Sequence, residues 1–161
     1  MENHIIRKAN STDVKDILRL LIELAVYEKD PDAVKITEKD LLEDGFRDNP
    51  RYECFIAEIN SDIVGLAFYT PRYSTWDGKT LHLEDLVVTE KMRGKGIGLS
   101  LYKSFLKEAK KQGVNRVEWS VLDWNKPAIN FYLKSGALID DYSKWKIVRM
   151  NKSLIEKFLS S

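Results

Sequence analysis

The residues Arg93-Gly94-Lys95-Gly96-Ile97-Gly98 set three glycines and two cations within one short stretch. Upstream, residues 81–89 (Leu-His-Leu-Glu-Asp-Leu-Val-Val-Thr) read as a strand; downstream, Ile97, Leu101, Tyr102, Phe105, Leu106 and Ala109 recur at helical spacing until Gly113. Glycines between a strand and a helix start let backbone N–H groups close on an anion without Cβ interference, and the helix N-terminus adds unsatisfied donors and partial positive charge. A phosphorylated cofactor is therefore expected at residues 93–98. Spacing separates the cofactor classes. The ATP loop G-x-x-x-x-G-K-[ST] is absent, and the dinucleotide pattern G-x-G-x-x-G is not met by evenly spaced Gly94, Gly96 and Gly98, although Glu118 stands where a ribose acid could. A glycine-rich turn that binds nothing is the plain alternative.

A second group is acidic. Glu84 and Asp85 interrupt an apolar strand, and Glu28 ends an apolar helix beside Tyr27. Carboxylates among Leu and Val cost free energy unless they are paired, solvated or used. Strict alternation along residues 81–88 points Glu84 and Asp85 to opposite faces. A strand-end salt bridge is the structural alternative, and a solvated helix end is the alternative for Glu28. Lys103, Lys107, Lys110 and Lys111 read as the solvated face of the helix after the glycines.

These residues need elements to hold them. Residues 4–9 read as a strand, and Ser11/Thr12 open a helix with Val14, Ile17, Leu18, Leu21, Leu24 and Ala25 as its apolar stripe, broken at Asp30-Pro31-Asp32. Thr37-Glu-Lys-Asp40 reads as a capping start for a helix ending near Gly45. Residues 52–59 and 63–73 form a hairpin across Asn60-Ser61-Asp62, followed by strand 80–89, helix 97–112 and strand 116–122. Asn125 and Pro127 start a helix that Gly136 ends, with strand-like segments at 137–142 and 145–150. The order β-α-α-β-β-β-α-β-α-β-β is that of a mixed α/β fold, with antiparallel hairpins first and a parallel crossover around the glycine loop.

Composition narrows the function. The 161 residues suit a single domain, 1–161. With 26 basic against 25 acidic residues there is no charge footprint for nucleic acid. Two histidines far apart suggest no metal site, and the single Cys54 fits a reducing compartment. No apolar stretch approaches about 18 residues and Met-Glu-Asn-His is not a signal start, so a soluble cytoplasmic protein without membrane partners is expected.

The pattern R-x-x-G-x-G at Arg93, Gly96 and Gly98, within this element order, resembles the GNAT acetyltransferases over essentially the whole chain. That fold has a mixed, mostly antiparallel sheet with a splayed parallel strand pair. Ala25-Val-Tyr-Glu28, residues 36–46 (Ile-Thr-Glu-Lys-Asp-Leu-Leu-Glu-Asp-Gly-Phe), Leu83-Glu-Asp85, Asp123-Trp-Asn125 and Asn130-Phe-Tyr132 are similar to the diamine (spermidine/spermine) acetyltransferase group. Tyr73-Ser-Thr-Trp76 and Val121-Leu-Asp-Trp-Asn125 look closer to the thialysine Nε-acetyltransferases.

The resemblance implies acetyl-CoA as co-substrate, a small-molecule amine as acceptor and a homodimer. It places backbone groups of Leu86, Val87 and Val88 along the cofactor arm, where one N–H could polarise the acetyl oxygen, and puts the pyrophosphate over Arg93, Gly94, Lys95, Gly96, Ile97, Gly98 and Leu99. Asn125, Lys126, Pro127 and Ala128 would line the rest of the cofactor. Tyr132 would be the general acid: a phenol with a pKa of about 10 is protonated at neutral pH and can re-protonate a departing thiolate. Ordinary core packing beside Ile129 and Leu133 is its bland alternative. Tyr27, Glu28, Glu84 and Asp85 would bind the amine, with Glu84 helping to deprotonate it directly or through water. Glu118, Trp119 and Ser120 match a strand near the substrate, and Trp76, Trp119 and Trp124 could wall an alkyl ammonium or simply pack. An acidic contact of the polyamine enzymes falls here on Ser74, with Asp77 nearby, which favours an acceptor with one distal amine such as thialysine over a polyamine. A protein amine acetyltransferase, a non-catalytic acyl-CoA sensor and a dinucleotide enzyme remain the other readings.

Overall fold

The computed structural model describes residues 4–140 and 148–160. By contacts the chain resolves into two compact units, Met1–Ser120 and Val121–Ser161.

The first unit is built on a five-stranded sheet in sequence order β1-β2-β3-β4-β5. Its strands are β1 Ile5–Lys8, β2 Glu53–Ile59, β3 Asp62–Ser74, β4 Gly78–Val88 and β5 Arg116–Glu118. The first four pair antiparallel and β5 pairs parallel to β4, giving the mixed sheet that the element order implies. The β2–β3 turn forms at Asn60 and Ser61, which take φ of 49° and 70°, values that suit short polar residues in a tight hairpin.

Helix α1 (Val14–Tyr27) follows a short 3-10 turn, Ser11–Asp13, where Asn10 and Asp13 form a reciprocal capping box. Asp13 is buried but bidentate with Arg7, which holds its carboxyl below the usual range. Helix α2 (Glu38–Gly45) starts on the Thr37/Asp40 capping box expected from sequence. Ile17, Leu20 and Leu21 of α1 and Leu41 of α2 pack with Tyr52, Cys54, Ile56, Leu66 and Val87 on one face of the sheet. On the other face Tyr69 meets Phe105 of α3 (Ile97–Gln112) at 5.3 Å and stacks on Phe55 at 5.8 Å.

Two departures in the sheet matter for the site. Strand β5 stops at Glu118 rather than running to residue 122, because its ladder with β4 covers only Thr80 to His82. Immediately afterwards β4 carries a bulge: Phe68 stands opposite Asp85 while Tyr69 stands opposite Leu83, so Glu84 is the extra residue. A bulge bends its strand and ends regular pairing. The stretch Leu83–Val88 keeps β3 on one side without a β5 ladder on the other, which is the splay that the family fold implies.

In the second unit α4 (Lys126–Lys134) is capped by Asn125, whose side chain accepts from the Ala128 N–H at 3.3 Å, with Pro127 in its first turn. A further helix, α5 (Lys152–Leu159), starts on Asn151. Residues 137–140 and 148–150, within the expected strands 137–142 and 145–150, carry no ladder, and the remainder of both lies outside the described residues. Short apolar runs such as these do not distinguish strand from helix by periodicity.

Candidate active site

The glycine loop is built as the spacing suggests. Gly94 and Gly96 take left-handed φ of 76° and 83°, and a Cβ built on either would meet nothing within 4 Å, so the space over the loop is open. Gly96 is the N-cap of α3, and its carbonyl accepts from Ser100 N–H at 3.1 Å. The N–H groups of Ile97, Gly98 and Leu99 occupy the first turn, where no intrahelical acceptor exists. Ile97 itself is buried, so its side chain anchors the turn while its backbone stays at the loop. Backbone donors at a helix start and open space above glycines are the physical requirements of an anion site, and the loop can hold a pyrophosphate.

Arg93 is turned along the protein: its Nε donates to Val88 O at 2.9 Å, and its guanidinium lies over the Tyr27 ring at 4.4 Å. A residue expected on the cofactor side thus contacts one expected on the amine side.

The bulge overturns one expectation. Strict alternation put Glu84 and Asp85 on opposite faces, yet Asp85 is opposite Phe68, which packs against the α1 and α2 core, and Glu84 Oε1 accepts from Thr70 Oγ1 at 3.1 Å. Phe68 and Thr70 share a face of β3, so both acids lie on the α1 side of the sheet. One inserted residue has flipped the strand's alternation between Leu83 and Asp85. Burial, then the charges of Glu28 and Glu84, push the Asp85 carboxyl up to about 6, and burial raises Glu28 as well. Glu28, Glu84 and Asp85 are therefore one electrostatic group. Such a group favours a cation.

Other expected residues sit differently. Glu118 is held by Arg72 and by Arg116 at 2.9 Å, an ion cluster that locks β5 to β3. His82 stands between Glu84 and Glu118, 3.9 Å from each, with its Nδ1 buried and lacking a hydrogen-bond partner among the described residues. Ser74 Oγ accepts from the N–H groups of Trp76 and Asp77, at 3.2 and 3.1 Å, and Asp77 pairs with Arg116. Trp76, at the tip of this hairpin, is 81% exposed. Trp119 packs edge-on against Tyr102 at 5.7 Å, next to Ser120. In the second unit Tyr132 is buried and meets Phe131 at 5.3 Å, and Trp124 is exposed. Thr70 and His82 were missed, because only strand register brings them to these places; nothing in their local sequence marks them.

Similarity to known proteins decides the family. A model of the acetyltransferase (GNAT) family matches residues 15–137. The chain belongs to the GNAT acetyltransferase family. It is 43% identical over 141 residues to a thialysine N-epsilon-acetyltransferase of Bos taurus, covering 83% of each chain. It is 39% identical over 160 residues to a human spermidine/spermine N(1)-acetyltransferase-like protein 1, covering 94% of this chain but 23% of that longer protein. Among solved structures it superposes on an integron cassette protein from the mobile metagenome of V. cholerae with a TM-score of 0.78 and 24% identity, over 100% of this chain and 99% of the other, a likeness of fold. This GNAT protein is an acyltransferase. Among the described residues no cluster of His, Cys, Asp and Glu could hold a metal, and no helix is long and apolar enough to cross a membrane.

Proposed function

We propose that this GNAT enzyme transfers the acetyl group of acetyl-CoA directly to the primary amine of a small, lysine-like molecule such as thialysine. The observation that carries the acceptor is the Glu28–Glu84–Asp85 group, three acids on one side of the sheet whose mutual repulsion an ammonium would relieve. Similarity to thialysine N-epsilon-acetyltransferases supports the same reading. A polyamine is the second reading. It asks for another well-placed acid, whereas Asp77 is engaged by Arg116 and Ser74 closes a turn.

The residues divide the chemistry as follows. The loop 93–99 holds the pyrophosphate through backbone donors, while Leu86, Val87 and Val88 offer backbone groups to the cofactor arm and Asn125, Lys126, Pro127 and Ala128 line its remainder. Glu28 and Asp85 attract the ammonium, with Tyr27, Trp76 and the Glu118–Ser120 strand assigned to the acceptor side. Glu84 removes the proton that frees the nitrogen lone pair, directly or through water. The nitrogen attacks the thioester carbonyl, the C–S bond breaks as Tyr132 gives its phenolic proton to the departing sulfur, the surplus proton on the new amide nitrogen restores the phenol, and the proton held by Glu84 leaves to solvent. We place the enzyme in the cytoplasm as a homodimer, in keeping with the family resemblance and the buried thiol of Cys54.

Coenzyme A release measured across thialysine, lysine, ornithine, spermidine and a lysine-containing peptide tests this. Thialysine or a lysine analogue should give the highest kcat/KM, and Glu84→Gln should lower it. A preference for spermidine would overturn the acceptor while keeping the chemistry. Acetylation of the peptide alone would remove the small-molecule class.

A further inference from the structure

We propose that Glu23 is a positioning residue that fixes the chain's exit from β4 and thereby the pyrophosphate loop. This rests on residues 93–99 binding coenzyme A, as proposed above.

Helix α1 carries a second row beside its apolar stripe: Asp16, Arg19, Glu23 and Tyr27, spaced three or four residues apart and so stacked along one side. Arg19, Glu23 and Tyr27 each reach a different point beside the path into the loop. Arg19, paired with Asp16 at 3.0 Å, donates to Ile63 O at 2.6 Å, at the start of β3. Thr89, the first residue beyond β4, is tied to the neighbouring Val64 O through its N–H at 2.9 Å. Glu23 then takes three contacts. Thr89 Oγ1 lies 2.6 and 2.9 Å from its two carboxylate oxygens, and the Glu90 N–H donates to Oε1 at 3.0 Å. Glu90 opens a 3-10 turn, Glu90–Met92, so Glu23 supplies the acceptor which that turn's first N–H lacks. The turn delivers Arg93, whose guanidinium lands on Tyr27, one helical turn after Glu23.

The charge makes the arrangement informative. A carboxylate near a polyanion site has the wrong sign if it acts through its field. Here its acceptor capacity is taken by Thr89, Glu90 and, at 3.7 Å, Arg19. Its contribution is geometric: it sets the direction in which the chain leaves the sheet, and so the aim of the loop's backbone donors. Loop donors aimed before binding spare the cost of ordering them at binding.

Glu23→Ala, Glu23→Gln and Thr89→Val test the assignment by calorimetric titration with coenzyme A and by steady-state kinetics. Glu23→Ala should raise the coenzyme A Kd and the acetyl-CoA KM by roughly tenfold, the effect expected for losing two hydrogen bonds to one charged acceptor. The cost should fall on acetyl-CoA KM, with kcat at saturation and amine KM changed by about twofold at most. Glu23→Gln should restore most of the affinity, since one amide oxygen can accept from both donors. Thr89→Val should lose a few-fold, roughly half the effect on a logarithmic scale, and the double variant should lose less than the product of the two. Should Glu23→Ala not fold, Thr89→Val against Glu23→Gln decides the matter.

Unchanged coenzyme A affinity in both Glu23→Ala and Thr89→Val would overturn the proposal. So would tighter binding by Glu23→Gln, which would mean the acid acts by repulsion, or a loss confined to kcat and melting temperature. Failure of the unsubstituted protein to bind coenzyme A would instead overturn the assignment of the loop.

Discussion

At the scale of single residues, the glycines and Tyr132 carry separable roles. Gly96 sits at φ 83°, where a β-branched side chain is strained whatever space surrounds it, and its Cβ would enter the open volume above the loop. Coenzyme A should raise the melting temperature of the protein, and Gly96→Val should abolish that rise; equal shifts in both would remove the pyrophosphate from the loop. Tyr132→Phe keeps the ring and loses only the hydroxyl. Its kcat should fall roughly 10²–10⁴-fold with acetyl-CoA KM little changed, as expected when an interaction exists only in the transition state. Near-normal turnover, with chemistry shown to be rate-limiting, would return Tyr132 to the core.

At the scale of elements, most boundaries were legible because local physics sets them. The α2 start on Thr37 and Asp40, the α3 span from Ile97 to the left-handed Gly113, and the Asn125 cap of α4 all came from side chains adjacent in sequence. Gly45 shows a limit. It reads as a helix stop, and α2 does end there, but a Cβ on it would lie 2.2 Å from the Tyr52 ring. That ring is stacked on Phe68 at 4.2 Å and hydrogen-bonded through its hydroxyl to Leu41 O at 2.7 Å, so it has nowhere to go. Gly45→Ala should therefore destabilise the protein by roughly 1–3 kcal/mol, the cost of overpacking, against the gain in helix propensity expected of an open site. Urea unfolding reads the sign directly.

At the scale of the whole molecule, the acid group ties stability to pH. Asp85 ionises near 3.8 in an ordinary setting and at about 6 in the fold, so the folded protein holds its proton more tightly than the unfolded chain. Its favourable contribution is complete below about pH 4 and is lost as pH rises through 6. Asp85→Asn removes that loss. The variant should be more stable than the parent by roughly 1–3 kcal/mol at pH 7 and indistinguishable near pH 4. Thermal unfolding at the two pH values checks it; a pH-independent difference would mean that packing and not charge sets the effect. A bound ammonium should oppose the same repulsion, so amine binding should release a proton near pH 6, visible as a buffer-dependent heat.

By itself the sequence determined the order of elements as far as α4, the glycine loop with its helix, and the acids that stand out in apolar surroundings. Each of these is written in neighbours within a few residues, through capping, period and the conformational freedom of glycine. Only the tertiary structure decided how the acids meet. The bulge at Glu84 arises from pairing with β3, more than ten residues away in sequence, and it turned two carboxylates expected on opposite faces toward one. Register likewise gave Glu118 to two arginines, and the docking of α1 brought Glu23 to Thr89, 66 residues distant. Such contacts depend on how strands and helices settle against one another, and a side chain's own stretch of sequence holds no trace of that.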